Sequence, residues 1–363
     1  MTTEYRYLFA DLLTNQVLAE LPLTGVSFGK ELNTSGSLTG SLLLSDLRED
    51  VYAISDNTTP GRTALYVDRS GTIVWGGIVW GRSYSSPDQR LQFQAREFES
   101  YFEKRRILTT YTASSVDQLQ VAKALVDQVQ AVASGNIGVI VPSLTSGVTI
   151  SKTYNGYEQK PLMEALYELS RADNGFDWNI DVSYDSSFNI VKNLDLGYPR
   201  RGALYADALA TTPVLEFPGN IVTYTYPEEG GSIANTMLGV GSGTGEGKYL
   251  STQTNTAQIT AGWPVLEQSV SLTDYTDQTL LAEMTLANLN AVIEPVVVMQ
   301  VITEAYNDPV LGSFKTGDEV RVRVTDPRFP DTLDFTRRIA SFTVQPGESG
   351  PERITFNLVV PPV

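Results

Sequence analysis

The sequence of 363 residues contains neither cysteine nor histidine. Disulfide bonds, thiolate nucleophiles, Ser-His-Asp triads, Cys-His dyads and zinc sites with histidine ligands are therefore excluded, because the required atoms are missing. The N-terminus, Met1 to Tyr7, has no basic stretch followed by an apolar one, so no secretory signal is visible. No run of about 18 apolar residues occurs, so no membrane-spanning segment is predicted.

Positive charge is also scarce. The chain has 26 Lys and Arg against 42 Asp and Glu, which gives a formal net charge of −16. This balance argues against a nucleic-acid-binding surface, although it would let DNA pass without adhesion because like charges repel. Hydrophobic residues make up 42% of the sequence, which is ample for packed cores, and the length favours two to three domains.

The stretch Thr63 to Phe98 has the pattern of a three-stranded antiparallel meander. Its central run, Thr72 to Tyr84, is dense in Ile, Val, Trp and Tyr. Gly76-Gly77 in the middle of this run predicts a bulge or a sharp bend, as at the corner of a small barrel. The segment Arg90 to Ala95 then alternates apolar with polar residues, which is typical of a strand with one buried face.

A similar pattern returns at the other end of the chain. Val320 to Val324 alternates Val with Arg, and a long strand is predicted from about Asp334 to Val344. The last strand, Arg353-Ile-Thr-Phe-Asn-Leu358, nearly repeats the pattern of Arg90-Leu-Gln-Phe-Gln-Ala95. We interpret the two meanders as similar β-modules of an internal duplication. The alternative is that two unrelated amphipathic meanders look alike, since alternation is common.

Between these β-rich parts, residues 107–214 have the pattern of a mixed α/β insertion. A capping-box pattern over Ser115 to Gln118 predicts the start of one helix. A second helix is predicted from Pro161 to Ala172, because proline is well suited to the first helical position. Two strands are predicted to follow, over Phe176 to Tyr184 and over Phe188 to Leu196.

The last third of the chain contains a glycine-rich run from Gly239 to Gly247. It ends in Gly-Lys, but both ends of the Walker A pattern fail, so we interpret it as a loop between strands. The segment Ser251 to Ala261 is polar and turn-like. A third helix is predicted over about Asp277 to Ile293, capped by Thr276 and stopped at Pro295.

The acidic residues offer candidates for acid and base catalysis. Asp177 and Asp181, or Asp181 and Asp185, could form the acid and base of a glycosidase. Nothing in their spacing distinguishes them from solvated strand and turn residues, so we predict no catalytic residues. No Asp-x-Asp-x-Asp-Gly loop is present, and neither a metal site nor a cofactor is predicted.

The four tryptophans could line a sugar platform. Trp75 and Trp178 lie in apolar strands, however, and are expected in the core. Trp263 lies in a polar region between Gly and Pro, so we expect it to be exposed. Its best functional interpretation is a protein–protein contact, because exposed tryptophans often anchor interfaces.

Three segments resemble a known family. Leu65 to Trp80 (LYVDRSGTIVWGGIVW), followed by a Leu-x-Phe-x-Ala strand, resembles the N-terminal domain of tail hub proteins of long-tailed bacteriophages, especially those of actinobacteria. Leu166 to Ile180 resembles the inserted domain of these hub proteins, also called minor tail proteins. Gly317 to Val324, with the final meander, resembles their second barrel. The likeness is one of order and pattern over nearly the whole chain, and it includes no catalytic motif.

The resemblance implies a mainly β fold with an α/β insertion. Two similar antiparallel β-barrel modules would be joined by a helix-and-sheet domain. The expected domains are 1–106 for the first module, 107–214 for the insertion and 215–363 for the second module. A segment inserted at about 241–295 would carry the third helix, which is expected to pack on the 107–214 domain.

The resemblance also implies a structural, non-enzymatic function at the tip of a phage tail. The family assembles as homotrimers whose six barrels surround a channel and match the six-fold tail tube above. Such a hub closes the tube, contacts the distal tail protein, holds the end of the tape measure protein and carries fibre or receptor-binding proteins. DNA would pass through the channel without specific binding. The expected location is the virion tail tip, after assembly in the bacterial host cytoplasm.

Two alternative functions belong to other classes. A tail-tip protein that binds carbohydrate or a receptor would present exposed aromatic platforms. An acidic glycan hydrolase would lose activity when one carboxylate such as Asp181 is removed. The sequence ends at Val363, directly after the last predicted strand, so we expect any cell-wall-cutting activity to reside in another protein.

Overall fold

The computed structural model describes residues 4–44, 51–172, 174–205, 213–273, 275, 277–293, 298–304, 308–347 and 350–361. The chain divides into two compact units. Unit 1 comprises Met1–Tyr224 and Gln300–Val363, and unit 2 comprises Thr225–Met299. Among the helices in the described ranges, none is long and apolar enough to cross a membrane.

The elements follow one another in three groups along the chain. The first group is β1 Tyr5–Asp11, β2 Val17–Glu20, β3 Thr24–Glu31, β4 Ser37–Leu43, α1 Val51–Asn57, β5 Thr63–Arg69, β6 Thr72–Ser85 and β7 Arg90–Glu97. The second is β8 Tyr111–Asp117, α2 Gln118–Gln130, β9 Val139–Ile140, β10 Thr149–Tyr154, α3 Leu162–Ser170, β11 Asp177–Tyr184 and β12 Ile190–Gly197. The third is β13 Val214–Phe217, β14 Ile221–Thr225, β15 Thr236–Val240, β16 Leu250–Thr254, α4 Thr256–Thr260, β17 Glu267–Ser271, α5 Gln278–Val292, β18 Met299–Glu304, β19 Glu319–Val324, β20 Leu333–Gln345 and β21 Arg353–Val359.

One 13-stranded sheet combines the first group with the end of the chain. Its main path is β14-β18-β21-β20-β3-β4-β7-β6-β5-β1-β2, while β19 pairs with β20 and with β13. The predicted fold class, mainly β with a helix-and-sheet insertion, is confirmed. Within the described ranges the path is open and neither module closes as a separate barrel, because β3 pairs with β4 on one edge and with β20 on the other.

The two meanders share one register. The long strand β6 pairs with β5 through its first half and with β7 through its second half, and β20 pairs with β19 and β21 in the same way. Each long strand has a bulge at the corresponding place, at Trp80 in β6 and at Ala340 in β20. Beyond the bulge, Tyr84 lies opposite Leu91 and Val344 opposite Ile354. The far halves of the two meanders therefore correspond position by position, whereas the β5–β6 pairing has a further bulge at Val74 that the β19–β20 pairing lacks.

Several local predictions are wrong in detail. β6 has bulges at Val74 and at Trp80, and neither lies at Gly76-Gly77. A Cβ on Gly77 would come within 2.2 Å of the carbonyl oxygen of Arg96, so this glycine permits a close strand approach instead. The predicted capping box at Ser115 lies in β8, where Ser115 has a positive φ of 54°. Asp117 caps α2 instead, because its carboxylate accepts the backbone N–H of Leu119 at 2.9 Å.

Other boundaries also differ. Pro161 is the residue before α3 rather than its first helical residue. The segment predicted as turn-like, Ser251 to Ala261, contains most of β16 and all of α4. The proposed cap Thr276 and stop Pro295 lie outside the described residues, where nothing is assigned to them. Asp277 caps α5, since its carboxylate accepts the N–H groups of Thr279 and Leu280.

The insertion and the first module share one apolar core. The buried face of α2 carries Leu119, Ala122, Val126 and Val129, as its 3.6-residue period predicts. These residues belong to the same buried cluster as Phe98, Phe102 and Ile78 of the first module. The ring centroids of Phe102 and Trp178 lie 6.3 Å apart. The apolar face of the insertion is therefore covered by the first module.

Unit 2 is a small α/β unit. Its sheet has the order β16-β15-β17, with β15 antiparallel to β16 and parallel to β17. Helix α5 packs on this sheet through Leu281, Thr285 and Leu289. A Cβ on Gly239 would lie 2.0 Å from the hydroxyl of Thr285, so this strand glycine allows the helix to approach.

Candidate functional site

A dense set of charged side chains lies where β11 of the insertion meets the two modules. Asp177, at the start of β11, forms an ion pair with Arg338 of β20. Its carboxylate also accepts the side-chain amide of Asn33 at 2.8 Å and the backbone N–H of Arg201 at 2.9 Å. Asp177 thus connects the insertion to the first module through Asn33 and to the second through Arg338.

Arg201 is the second junction in this network. Its guanidinium forms ion pairs with Asp181 and Asp195, the latter at 2.7 Å. It also donates to the hydroxyl of Thr316 at 2.8 Å and to the carbonyl oxygen of Thr316 at 3.0 Å. The residue is 2% exposed, so these acceptors replace the water that a buried charge loses.

This arrangement shows what each candidate aspartate contacts. Asp177 and Asp181 do come together in one network, but each is neutralised by an arginine. Burial raises the pKa of Asp181, yet Lys30 and Arg201 outweigh this effect and hold the pKa below its usual range. Asp185 is exposed and organises a turn by accepting the N–H groups of Ser187 and Asn189. The contacts of Asp177 and Asp181 are those of buried or half-buried ion pairs, and those of Asp185 are those of a turn.

Two buried glutamates complete the network. Glu97 accepts the backbone N–H of Gly36 at 2.8 Å and lies 3.8 Å from the ammonium of Lys30. Glu99 accepts the backbone N–H of Ile180 at 2.6 Å. Burial raises the pKa of both carboxyls, and the neighbouring Glu99 raises that of Glu97 further. Both are at most 2% exposed, and Glu99 links the first module to the insertion through the backbone N–H of Ile180.

Sequence reasoning missed these glutamates and the arginines that join them. One signal was available for Glu97, because the period of two that buries Leu91, Phe93 and Ala95 also places Glu97 on the buried face. No comparable signal marked Arg338. Its partner Asp177 is far away in sequence, and only the packing of β20 against the insertion brings them together.

The tryptophans lie where their sequence context predicts. Trp75 and Trp178 are fully buried, and the indole N–H of Trp75 donates to the carbonyl of Gly29 at 2.9 Å. Trp80 is half-buried, with its indole N–H bonded to the hydroxyl of Ser100. Trp263 follows α4 and is 41% exposed. The exposed indole is available for a contact, and the interface function of Trp263 stays a prediction.

The glycine-rich run forms the loop of the β15–β16 hairpin. The backbone N–H of Gly241 donates to the carbonyl of Tyr249 at 2.8 Å, which closes the loop. Gly243 and Gly245 have positive φ values of 112° and 56°. The interpretation as a loop between strands is confirmed, and its glycines serve backbone geometry.

No protein-family model and no curated protein matches the sequence. Solved structures do match its fold. The 43 kDa tail protein of prophage MuSo2 from Shewanella oneidensis has a TM-score of 0.65 at 13% identity, with 98% of each chain covered. A tail protein from Neisseria meningitidis MC58 has a TM-score of 0.58 at 12% identity, over 99% of this chain and 97% of that chain.

A third similar structure is prophage tail protein gp18 from Listeria monocytogenes EGD-e. Its TM-score is 0.54 at 14% identity, over 97% of this chain and 94% of that chain. All three likenesses extend over almost the entire length of both chains. They show that this chain has the fold of these tail proteins.

Proposed function

We propose that the chain is a structural component of a phage tail tip, namely a homotrimeric hub that closes the tail tube. The observation that carries this proposal is the duplicated meander. Two equivalent modules in one chain let three chains present six similar modules, which suits a junction with a six-fold tube. The full-length fold likeness to two prophage tail proteins and to a tail protein from Neisseria meningitidis supports the same class of function.

In this proposal the hub contacts the distal tail protein and the tube on one side. It binds the end of the tape measure protein and carries fibre or receptor-binding proteins, with Trp263 as a candidate contact. DNA would pass through the channel during ejection without specific binding, which the net charge of −16 favours. The place of action would be the virion tail tip, and the closer resemblance to hubs of actinobacteriophages stays a prediction.

A non-enzymatic function fits the described charge network. The candidate acid Asp181 is held by Arg201 and Lys30, and the buried carboxyls Glu97 and Glu99 are out of reach of a substrate. A glycan hydrolase would need an accessible carboxyl with a raised pKa next to a second carboxylate. Activity of the purified chain on cell-wall glycans, lost in Asp181→Asn, would contradict this part of the proposal.

The first experiment is light scattering after size exclusion, followed by negative-stain averaging of the same peak. A trimer weighs 3 × 39.7 = 119.1 kDa and should appear as a three-fold ring. Gold-labelled antibody against the chain should mark one end of the tail in intact particles. A chain that stays monomeric at high concentration, also with its tail partners added, would overturn the trimeric hub.

A further inference from the structure

A short basic segment lies where the first module leads into the insertion. Lys104-Arg105-Arg106 is the only run of three basic residues in a sequence whose formal net charge is −16. The ammonium of Lys104 lies 5.8 Å from the ring centre of Trp80, and Arg106 donates to the backbone carbonyl of Glu103. Among the residues that the structure describes, no carboxylate forms an ion pair with any of the three cations. Their charge is therefore free to meet an anion from outside the chain.

Two large exposed apolar side chains lie beside the basic run. Leu108 is 61% exposed and Tyr157 is 79% exposed. The backbones that carry them are in contact, because a Cβ added to Gly156 would come within 2.3 Å of the carbonyl oxygen of Leu108. We call the exposed residues Lys104, Arg106, Leu108 and Tyr157 the junction surface.

The backbone beneath the junction surface is held in place. Ile107 is completely buried, and its N–H donates to the carbonyl of Lys160 at 3.0 Å. The N–H of Leu162 donates to the carbonyl of Arg105 at 3.0 Å. The half-buried guanidinium of Arg105 donates in turn to a carbonyl near the end of α2, at 2.6 Å. The exposed side chains alternate with these two inward ones, so a partner would meet them on a backbone that is already ordered.

The acidic side chains next to the junction surface have partners of their own. The carboxylate of Glu103 accepts two guanidinium nitrogens of Arg96, at 2.6 and 2.9 Å. That of Glu158 accepts the side-chain amide of Asn155 at 3.1 Å. Neither acid therefore balances the positive charge of residues 104–106.

We propose that the junction surface binds an acidic segment of another protein of the tail. Carboxylates of that segment would pair with Lys104 and Arg106. An apolar side chain of the same segment would pack on Leu108 and Tyr157. This inference rests on the proposed function, since it takes the partner to be a neighbouring component of the tail, and it names the chemistry that the partner needs.

Charge and composition favour a protein over nucleic acid as this partner. Arginine and tyrosine are enriched among the residues that dominate protein interfaces. Tight binding to a phosphate backbone requires many neutralised phosphates, whereas this surface offers two exposed cations in a chain of net charge −16. Leu108 has no donor for a phosphate, but it adds apolar area to a protein contact.

Fluorescence anisotropy tests the surface with a labelled peptide of glutamates on both sides of one tryptophan. The natural chain should bind this peptide, and binding should weaken as the salt concentration rises. Lys104→Glu with Arg106→Glu should weaken binding about tenfold, and Tyr157→Ala about fivefold. The matched control reverses two other exposed cations, Arg62→Glu with Lys248→Glu, and should bind like the natural chain. Thermal unfolding shows that each variant still folds.

The outcomes separate this inference from the proposed function. The junction surface is overturned if the glutamate peptide does not bind, if a glutamine counterpart binds equally well, or if the control variant loses as much binding. Tighter binding of a DNA oligonucleotide, lost in the same double variant, also overturns it. A chain that forms trimers but fails these tests leaves the hub proposal standing. A chain that passes them but stays monomeric overturns the hub and leaves the junction surface standing.

Cross-linking in assembled tails tests the partner itself. The photo-cross-linking residue benzoylphenylalanine replaces Leu108 and, as a control, Phe188, which is 80% exposed at the turn between β11 and β12. Mass spectrometry should find position 108 linked to a segment of another tail protein in which Asp and Glu outnumber Lys and Arg. The control position should not reach that segment. The inference is overturned by a link to this chain alone, by a link to a segment without excess acid, or by no link at all.

Discussion

The far halves of the two meanders have the same register and bulge, but they use one equivalent position in opposite ways. In β6 this position is Ile78, which lies in the apolar cluster shared with the insertion. In β20 it is Arg338, which is 5% exposed and paired with Asp177 of the insertion. The alternating pattern and the hairpin geometry therefore determine where the strands form and how they pair. The side chain at the equivalent position determines whether the strand contacts the insertion through apolar packing or through an ion pair.

The insertion is consequently held by two kinds of contact. Its apolar face packs on the first module through residues such as Trp178 and Phe102. Its polar edge reaches the second module through Arg338 and through the bonds between Arg201 and Thr316. Apolar contacts tolerate small changes of shape, whereas a buried ion pair fails when one partner is removed. The following variants test this contrast, from the largest expected effect to the smallest.

The largest effect is expected at Arg338. Arg338→Met leaves the buried carboxylate of Asp177 without its cation and should lower the free energy of unfolding by about 4 kcal/mol. Ile78→Val at the equivalent position of the first meander should cost only about 1 kcal/mol. Urea unfolding measures both. The contrast is refuted if the two costs are equal, or if adding Asp177→Asn to Arg338→Met restores no stability.

The next effect concerns the close approach at Gly77. Gly77→Ala would place a Cβ against the carbonyl of Arg96 and should destabilise the chain by about 2–3 kcal/mol. Arg337 occupies the equivalent position in the second meander, and Arg337→Ala should cost less than about 1 kcal/mol. Thermal unfolding of the two variants provides the comparison. A neutral Gly77→Ala would mean that the first meander is no tighter than the second.

A pH dependence should distinguish Glu97 from Val360, its exposed equivalent at the end of the last strand. Burial and Glu99 raise the pKa of Glu97, so the folded state holds this proton more tightly than the unfolded state. The contribution of Glu97 protonation to the free energy of unfolding is fully present below about pH 4. It is lost as the pH rises through the pKa that Glu97 has in the folded state. Glu97→Gln keeps the neutral form and should gain on the order of 1 kcal/mol over the natural chain as the pH rises.

Urea midpoints between about pH 4 and pH 8 measure this effect, with Val360→Gln as the matched control. The control should follow the natural chain, because Val360 is 58% exposed. Parallel pH profiles for Glu97→Gln and the natural chain would show that Lys30 and the N–H of Gly36 fully offset the burial of the carboxylate.

The smallest effect on stability is expected at Trp263. In the first module a short turn joins β3 to β4, whereas the second module has unit 2 between β14 and β18, and unit 2 carries this exposed indole. Trp263→Ala should change stability by less than about 0.5 kcal/mol but weaken binding of a tail partner. Co-purification with the distal tail and fibre proteins checks this, with Leu289→Ala as a buried comparison that should lose stability instead. Unchanged binding by Trp263→Ala would remove this residue from the interface.

Much of the fold was predictable because its signals are local. Alternation located β7 and β21, the apolar stripe of α2 followed from its helical period, and Trp75 and Trp178 followed from their apolar neighbours. The errors were also local. The capping box at Ser115 failed because the pairing of β8 with β10 extends through Asp117 and holds the segment as a strand. Gly76-Gly77 suggested a bulge, but a glycine serves a close approach equally well.

The sequence by itself determined that this protein has no cysteine or histidine chemistry and that it is mainly β, with two meanders of one pattern around an α/β insertion. These properties depend on composition and on the periods of two residues in strands and 3.6 residues in helices. Both can be read from a local stretch of sequence without knowing which segments pack together. Only the tertiary structure decided that β3 joins β20 and that Arg338 meets Asp177. Such contacts join residues remote in sequence, and their geometry depends on how entire elements pack.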